Sequence, residues 1–243
     1  MRKVYIQKNG EFITSNMYAS WEGFRLKGYE TIPFEGEFES PELDAIPLSK
    51  DDIVCGYIPI VRKVFDRLGA TQPDVPSIPA SLLKFCGRQV WYGHLNDVHK
   101  QDYDVKPVFI KPKHTQKLFP GHVVSSFKDL IKTSAYPMDT VIQMSDPVNF
   151  ITEYRGYVLR GELLGLRHYK GDTCVIPSGY TIKQAIAAFE NTPVAYSSDF
   201  GVSDDGRSLL VETNDAFALG NYGLNSLDYT DMIEARWDQI VNY

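Results

Sequence analysis

The stretch DFGVSDDGRSLLVETNDAF, residues 199–217, holds the pattern on which the fold of this chain turns. Asp204-Asp205-Gly206 separates two runs of strand-forming residues, which predicts an antiparallel hairpin. Side chains two apart on a strand share a face. Glu212 and Asn214 therefore point together, while Val211 and Thr213 point the other way. The turn brings Asp199, on the incoming strand, to the same end of the ladder. Three oxygen-bearing side chains thus converge directly after the apolar run LLV. Magnesium takes hard oxygen ligands, commonly one or two carboxylates completed by substrate phosphates. Asp199, Glu212 and Asn214 are the candidate metal ligands; the plainer alternative is a solvated polar face of a hairpin.

Upstream, TIKQAIAAFEN (181–191) predicts an amphipathic helix, and NFITEYRGYVLR (149–160) and ELLGLRHYKGD (162–172) predict two strands joined at Arg160-Gly161. Glu153 and Arg155 share a face of the first strand, and Arg167 and Tyr169 share a face of the second. On a concave sheet two guanidiniums clamp phosphate or carboxylate with fork geometry. On an open surface they form ion pairs of little worth. Further upstream, PVFIKP (107–112) is a short strand from whose end Lys111 emerges. Its stem packs on the sheet and its ammonium reaches a phosphate as a point charge, unless it is merely a snorkelling surface lysine. Lys113, His114 and Lys117 precede Gly121 and form a candidate lid over phosphates. VIQMSDPV (141–148) predicts a strand, VVSSFKDLIKTS (123–134) a strand running into a helix, and SLLKFCGRQVWYGHLNDV (81–98) a helix.

TQPDVPSIPA (71–80), with three prolines, is the natural linker. Before it lies a small α/β pattern: strand 3–7, helix 16–28, strand 30–34, a polar stretch to about residue 50, strand 52–58, and helix 59–69 with Pro59 at its start and Gly69 just past its end. That order predicts a partly parallel sheet. A last helix falls near DYTDMIEARWDQIV (228–241). The expected division is residues 1–75 and 76–243.

The chain has 243 residues, 43% apolar and 23% charged, enough to bury a real core. Its net charge is −6 and no Lys/Arg run supplies a basic face, so composition offers nothing for nucleic acid beyond a basic cluster inside a cleft. Cys55, Cys86 and Cys174 are sparse and odd in number, giving neither a disulfide framework nor a zinc pattern. MRKVYIQKNG lacks the apolar core of a signal peptide, and no apolar run is long enough to span a membrane. A cytoplasmic protein is expected. His94, His99, His122 and His168 have no metal-ligand spacing, and there is no GxSxG, HExxH, dinucleotide fingerprint or P-loop. If ATP is used, another fold must hold it.

FIKPK with KLFPG, then SDPVNFITEYRGYVLRGELLGLRHY, then DFGVSDDGRSLLVETNDAF resemble, in order and spacing, the ATP-grasp superfamily. The resemblance is nearest to the clade named for two arginines and one lysine, found in bacteria and their phages. It covers roughly residues 105–220 and implies an α+β fold of two lobes gripping ATP. The N-terminal residues are similar in outline to the α/β pre-ATP-grasp lobe. The resemblance implies that Lys111, with Lys113 and Lys117, holds the ATP phosphates. It places Gln143, Ser145, Asp146 and Val148 at the interlobe hinge beside adenine, and Glu153 next to the nucleotide or ordering the basic residues. Arg155 and Arg167 become the two catalytic arginines alongside Lys111, and Asp199, Glu212 and Asn214 hold magnesium. HTQKLFP departs from a glycine-rich loop, and DAFALG follows Asn214 where many relatives have a proline. The second nucleotide-binding lysine is unassigned, with Lys84 or Arg88 as stand-ins.

The implied activity is ATP- and magnesium-dependent ligation of a carboxylate to an amine through an acylphosphate. The partners would be a small-molecule acid and amine: an amino acid, a peptide end or a modified base. A kinase acting on a hydroxyl and a nucleotide-binding module without catalysis are the alternatives.

Overall fold

The computed structural model describes residues 2–10, 14–36, 41–73, 76–102, 105–113 and 118–242. β1 (Lys3–Lys8) lies between β2 (Glu30–Glu35) and β3 (Ile53–Cys55), parallel to both. Parallel neighbours need a crossover. α1 (Ser15–Leu26) supplies the first, and the short α2 (Pro41–Ala45) sits within the polar stretch of the second. The third strand ends sooner than the apolar pattern predicts, because Ile58 already begins α3 (Ile58–Leu68), with Pro59 in its first turn. Gly69 closes α3 at φ 66°, a left-handed conformation that glycine adopts without steric penalty.

The expected helix over residues 81–98 does not form. A 3₁₀ segment covers Ala80–Phe85, then β4 (Val90–His94) and the one-turn α4 (Leu95–His99) follow. Gly87 interrupts the run at φ 59°, and Val90-Trp91-Tyr92 prefers a pleated surface. β4 joins β5 (Val108–Pro112), β6 (His122–Val124) and β7 (Val141–Ser145) in an antiparallel sheet of order β4-β7-β5-β6. The helix expected after β6 is a 3₁₀ segment, Phe127–Thr133.

The second antiparallel sheet has the order β11-β10-β8-β9, built from β8 (Phe150–Leu159), β9 (Glu162–Gly171), β10 (Ala195–Ser203) and β11 (Ser208–Asp215). Arg160 and Gly161 both have positive φ, 51° and 82°, as a tight hairpin between right-twisted strands requires. α5 (Gly179–Ala188) links β9 to β10, and α6 (Ser226–Val241) follows β11. Among the described residues no helix is long and apolar enough to cross a membrane.

Among the described residues, three apolar cores hold these sheets. One joins the parallel sheet to α1, α3 and α6 and reaches Tyr157 and Ala195 of the second antiparallel sheet. Another lies between the opposite face of that sheet (Val158, Tyr196, Phe200, Leu210), α5 and the Ala80–Phe85 segment. The last fills the β4-β7-β5-β6 sheet around Ile110, Ile142 and Met144. Trp237 of α6 is fully buried in the first core, its ring centroid 5.1 Å from that of Phe65 on α3. Trp237→Ala is predicted to lower the unfolding free energy by about 3–5 kcal/mol, read from urea denaturation. A loss below about 1 kcal/mol would show that α6 is not what ties the first core together.

Candidate functional site

Strand register places four charged side chains in one row across the second antiparallel sheet. Glu212 on β11 pairs with Asp199 on β10, Asp199 with Arg155 on β8, and Arg155 with Arg167 on β9. The hairpin reading thus holds: the two carboxylates share a face, and Asn214 joins them. Asn214 Nδ2 lies 3.3 Å from Glu212 Oε1 and 3.5 Å from Asp199 Oδ2. Asp199, 1% exposed, accepts two hydrogen bonds from the Arg155 fork, from Nε at 2.8 Å and from a terminal nitrogen at 2.7 Å. Burial is the main force on this carboxyl. It pushes the pKa up to about 6 against the pull of Arg155, and the charges of Glu212 and Glu153 add to the rise. Burial also opposes the charge of Glu212. The Lys111 cation and its hydrogen bond, helped by Asn214 and Arg155, outweigh it and hold Glu212 below the ordinary carboxylate range.

Lys111 comes from the other lobe. It lies opposite Gln143 on β7, and Gln143 lies opposite Tyr92 on β4, so these three form a facing row. Lys111 Nζ donates to Glu212 Oε2 at 2.7 Å and so joins the two antiparallel sheets. The row of four thus gathers Asn214 beside its carboxylates and Lys111 from the other sheet. Arg167 differs from Arg155 in having no carboxylate partner among the described residues. Its Nε donates to Gly223 O at 2.9 Å. Arg155 lies 5.0 Å from the ring centroid of Tyr222, which stacks on Tyr169 with centroids 5.1 Å apart. Tyr222 holds φ 44°, a conformation rare for a side chain of its size.

Glu153, 7% exposed, accepts from Tyr169 Oη at 2.7 Å and from Lys170 Nζ. Lys113 follows Lys111 and lies 5.5 Å from the Tyr92 ring centroid. Lys117, with His114, lies outside the described residues. Gln143 is buried and accepts from Ser77 Oγ at 2.7 Å. Ser145, also buried, ends β7. Asp146 and the half-buried Val148 lie in the short connection between the two antiparallel sheets, where Asp146 Oδ2 accepts from Gln89 N at 3.1 Å. Arg88, offered as a stand-in nucleotide lysine, instead donates to the backbone of β11. Lys84 is exposed beside Phe85. Tyr92 and Ser77 were not among the expected site residues. Tyr92 alternates with Trp91 in VWY, a strand signal hidden by the helical reading, and Ser77 sits in the proline-rich linker.

No group of three His, Cys, Asp or Glu side chains among the described residues makes a metal cluster. Two carboxylates and an amide make a smaller set, which suits an ion completed by phosphate oxygens. Asn214 presents its NH₂ to both carboxylates here, so ligation through Oδ1 needs the amide turned over.

The sequence matches the family described as ATP-grasp domain, R2K clade family 2, over residues 85–232. No curated protein matches it. In structure it is similar to D-alanine–D-alanine ligase from Bacillus anthracis complexed with ATP, at TM-score 0.53 and 14% identity over 100% of this chain and 99% of that one. It is also similar to N5-carboxyaminoimidazole synthase from Aspergillus clavatus, at TM-score 0.56 and 13% identity over 98% of this chain and 77% of that one. The ATP-grasp ligase PsnB, complexed with minimal precursor, Mg and ADP, gives TM-score 0.51 and 12% identity over 97% of each chain. These likenesses show a shared fold.

Asp199 predicts a pH dependence in the ligand-free protein. Its folded pKa, about 6, exceeds the unfolded value of about 3.9. Its contribution to stability is full below the unfolded value and is lost as pH rises through 6. Glu212 acts oppositely, but only near and below its unfolded value of about 4.3. Between pH 5 and 7.5 the unfolding free energy should therefore fall by about 1–3 kcal/mol on account of Asp199. Denaturant melts of wild type and Asp199→Asn across that range test it, since the variant lacks this part of the slope. Parallel profiles would show that Asp199 keeps an ordinary pKa.

Proposed function

Because this chain belongs to the ATP-grasp superfamily, R2K clade family 2, and has its fold, we propose that it is a carbon–nitrogen ligase using ATP and magnesium to join a carboxylate to an amine. One observation carries the reading. The row Glu212, Asp199, Arg155, Arg167 meets Lys111 from the other antiparallel sheet, so that two carboxylates, the Asn214 amide and three cations converge. The ligases it resembles in fold, one complexed with ATP and another with Mg and ADP, lend support. Residues 1–75 would be the pre-ATP-grasp lobe and 76–243 the ATP-grasp domain, working in the cytoplasm.

In this reading a carboxylate oxygen of the acid attacks the γ-phosphorus of ATP. The bond from that phosphorus to the β,γ-bridging oxygen breaks, and ADP leaves. The amine nitrogen of the second substrate then attacks the acyl carbon. The acyl carbon–oxygen bond breaks, phosphate leaves, and the nitrogen gives up a proton. Neither step needs a protein nucleophile, which fits a site lined, among the described residues, by charged side chains. Asp199 and Glu212, with the Asn214 oxygen, would hold the divalent ion, which when bound neutralises phosphate oxygens. Lys111 would turn from Glu212 to the phosphates. Gln143, Ser145, Asp146 and Val148 would border adenine, with Lys113 and Lys117 over the phosphates and Glu153 ordering the basic side. Arg155 and Arg167 would steady the anionic acid and the charge growing on the transferred group; positioning and charge neutralisation supply the acceleration.

The test is release of ADP and phosphate with pooled amino acids and small carboxylates as acids and amines. Phosphate released together with an amide supports the ligase. A phosphorylated hydroxyl product, or ATP binding with no turnover, would overturn it. Lys111→Ala should raise the KM for ATP and lower kcat/KM by the equivalent of about 2–4 kcal/mol; unchanged ATP kinetics would remove Lys111 from the phosphate site. Glu212→Gln should lose most of the rise in melting temperature that Mg-ATP gives wild type. An equal rise in both proteins would show that Glu212 is no metal ligand.

A further inference from the structure

The ladder between β10 and β11 slips between Asp199 and Phe200. Asp199 pairs with Glu212, but Phe200 pairs with Leu210, leaving Val211 unopposed. This β-bulge decides where Glu212 points. On a regular strand residues 210 and 212 share a face. Leu210 is fully buried in the core beneath α5, so without the extra residue Glu212 would face that core or Leu210 would face the cleft. The bulge lets Leu210 pack inward and Glu212 meet Asp199. A bulge also leaves backbone groups without ladder partners, and here one side chain takes them. Arg88 donates to Leu210 O at 2.9 Å and, through its other terminal nitrogen, to Val211 O at 2.9 Å. It is anchored in turn to Cys86 O at 3.1 Å.

Among the described residues Arg88 pairs with no carboxylate, so its fork is committed to the bulge. Gly87 permits the approach. It holds φ 59°, and a Cβ there would stand 2.6 Å from a methyl carbon of Leu209. The Gly87-Arg88 dipeptide thus reaches from the linker side onto the strand that presents Glu212. Lysine in its place offers a point charge, which spans the two carbonyls poorly.

We propose that Arg88 is a positioning residue: by clamping the Leu210 and Val211 carbonyls it fixes the β11 bulge and so aims the Glu212 carboxylate at the metal position. This rests on the reading of Asp199, Glu212 and Asn214 as metal ligands. Groups that orient a ligand from behind commonly change metal affinity by about 10–100-fold when removed. The test uses ADP with and without magnesium on wild type, Arg88→Lys, Arg88→Gln and Gly87→Ala. The magnesium concentration giving half of the ADP-linked rise in melting temperature should increase about tenfold or more in both Arg88 variants and move the same way in Gly87→Ala. ADP affinity without magnesium should stay unchanged. Gly87→Ala, which keeps the guanidinium, carries the test if the Arg88 variants do not fold. A lower melting temperature without ligand, but an unchanged magnesium midpoint, would make Arg88 a structural brace and overturn the proposal. A matching loss of magnesium-free ADP affinity would make it a nucleotide contact and also overturn it. Wild type showing no magnesium-linked response to ADP would instead sink the ligase reading itself, a result distinct from variants that behave as wild type does.

Discussion

The Asp199–Arg155 fork sets the terms for the rest of the sheet. A carboxylate buried to 1% exposure is costly unless a partner of opposite charge meets it with good geometry. Here β10 and β8, the two central strands, bring that partner by register alone, and the fork closes with two hydrogen bonds. Once this pair is fixed, the outer strands fall into place on either side: Glu212 beyond the acid, Arg167 beyond the base. The row is therefore graded, negative on β11 and β10, positive on β8 and β9. Such a row suits a bound group that is itself graded, with a cation at one end and anionic oxygens at the other. A metal-bound phosphate has that form, which is why the proposed reading needs no rearrangement of the backbone.

Lys111 extends this grading across the cleft. The β4-β7-β5-β6 sheet has its own apolar core, separate from the two that hold the second antiparallel sheet. Polar contacts join it to that sheet, beside Val90 of β4, which packs against the core beneath α5. Lys111 bonds Glu212, and Ser77 bonds Gln143 while its carbonyl accepts from Thr213 N at 2.7 Å. The proline-rich segment that reads as a linker thus touches both sheets. Contacts of this kind exchange more readily for ligand contacts than buried apolar area does. The large first core, by contrast, binds α6 to the N-terminal sheet with Trp237 and Phe65 in contact.

The sequence made the second antiparallel sheet legible because its turns are chemically explicit. Arg160-Gly161 and Asp204-Asp205-Gly206 mark the hairpins, and period-two alternation then pairs Glu153 with Arg155 on one strand and Glu212 with Asn214 on another. The small parallel sheet was legible from Pro59 and Gly69 bracketing one helix. Residues 81–98 were not. Their apolar residues fit helical spacing, and only the left-handed conformation of Gly87 and the pairing of Val90–His94 with β7 break it, both tertiary facts. Tyr92 was lost with that error. The bulge was equally hidden. Strict alternation puts Leu210 and Glu212 on one face, and the slip that separates them depends on a core behind Leu210 and a guanidinium over the carbonyls, neither adjacent in sequence. Tyr222 at positive φ carried no signal either, because Gly220 and Gly223 beside it look like the more natural holders of that conformation.

The site also shows how the protein tolerates its own charges without a ligand. Asp199 and Glu212 face each other across a ladder pair, an arrangement that like charges disfavour. Each is answered by a different cation, Arg155 on the same sheet and Lys111 from the opposite one. Two negative charges are thus balanced by two positive ones of the protein's own. In the proposed reading a divalent ion takes over that balance, and the two protein cations are released toward the phosphates that arrive with it. The exchange conserves charge in the cleft at each side of the row. Without a ligand one carboxyl sits high, about 6, and the other low: burial outweighs Arg155 at Asp199, whereas Lys111 outweighs burial at Glu212.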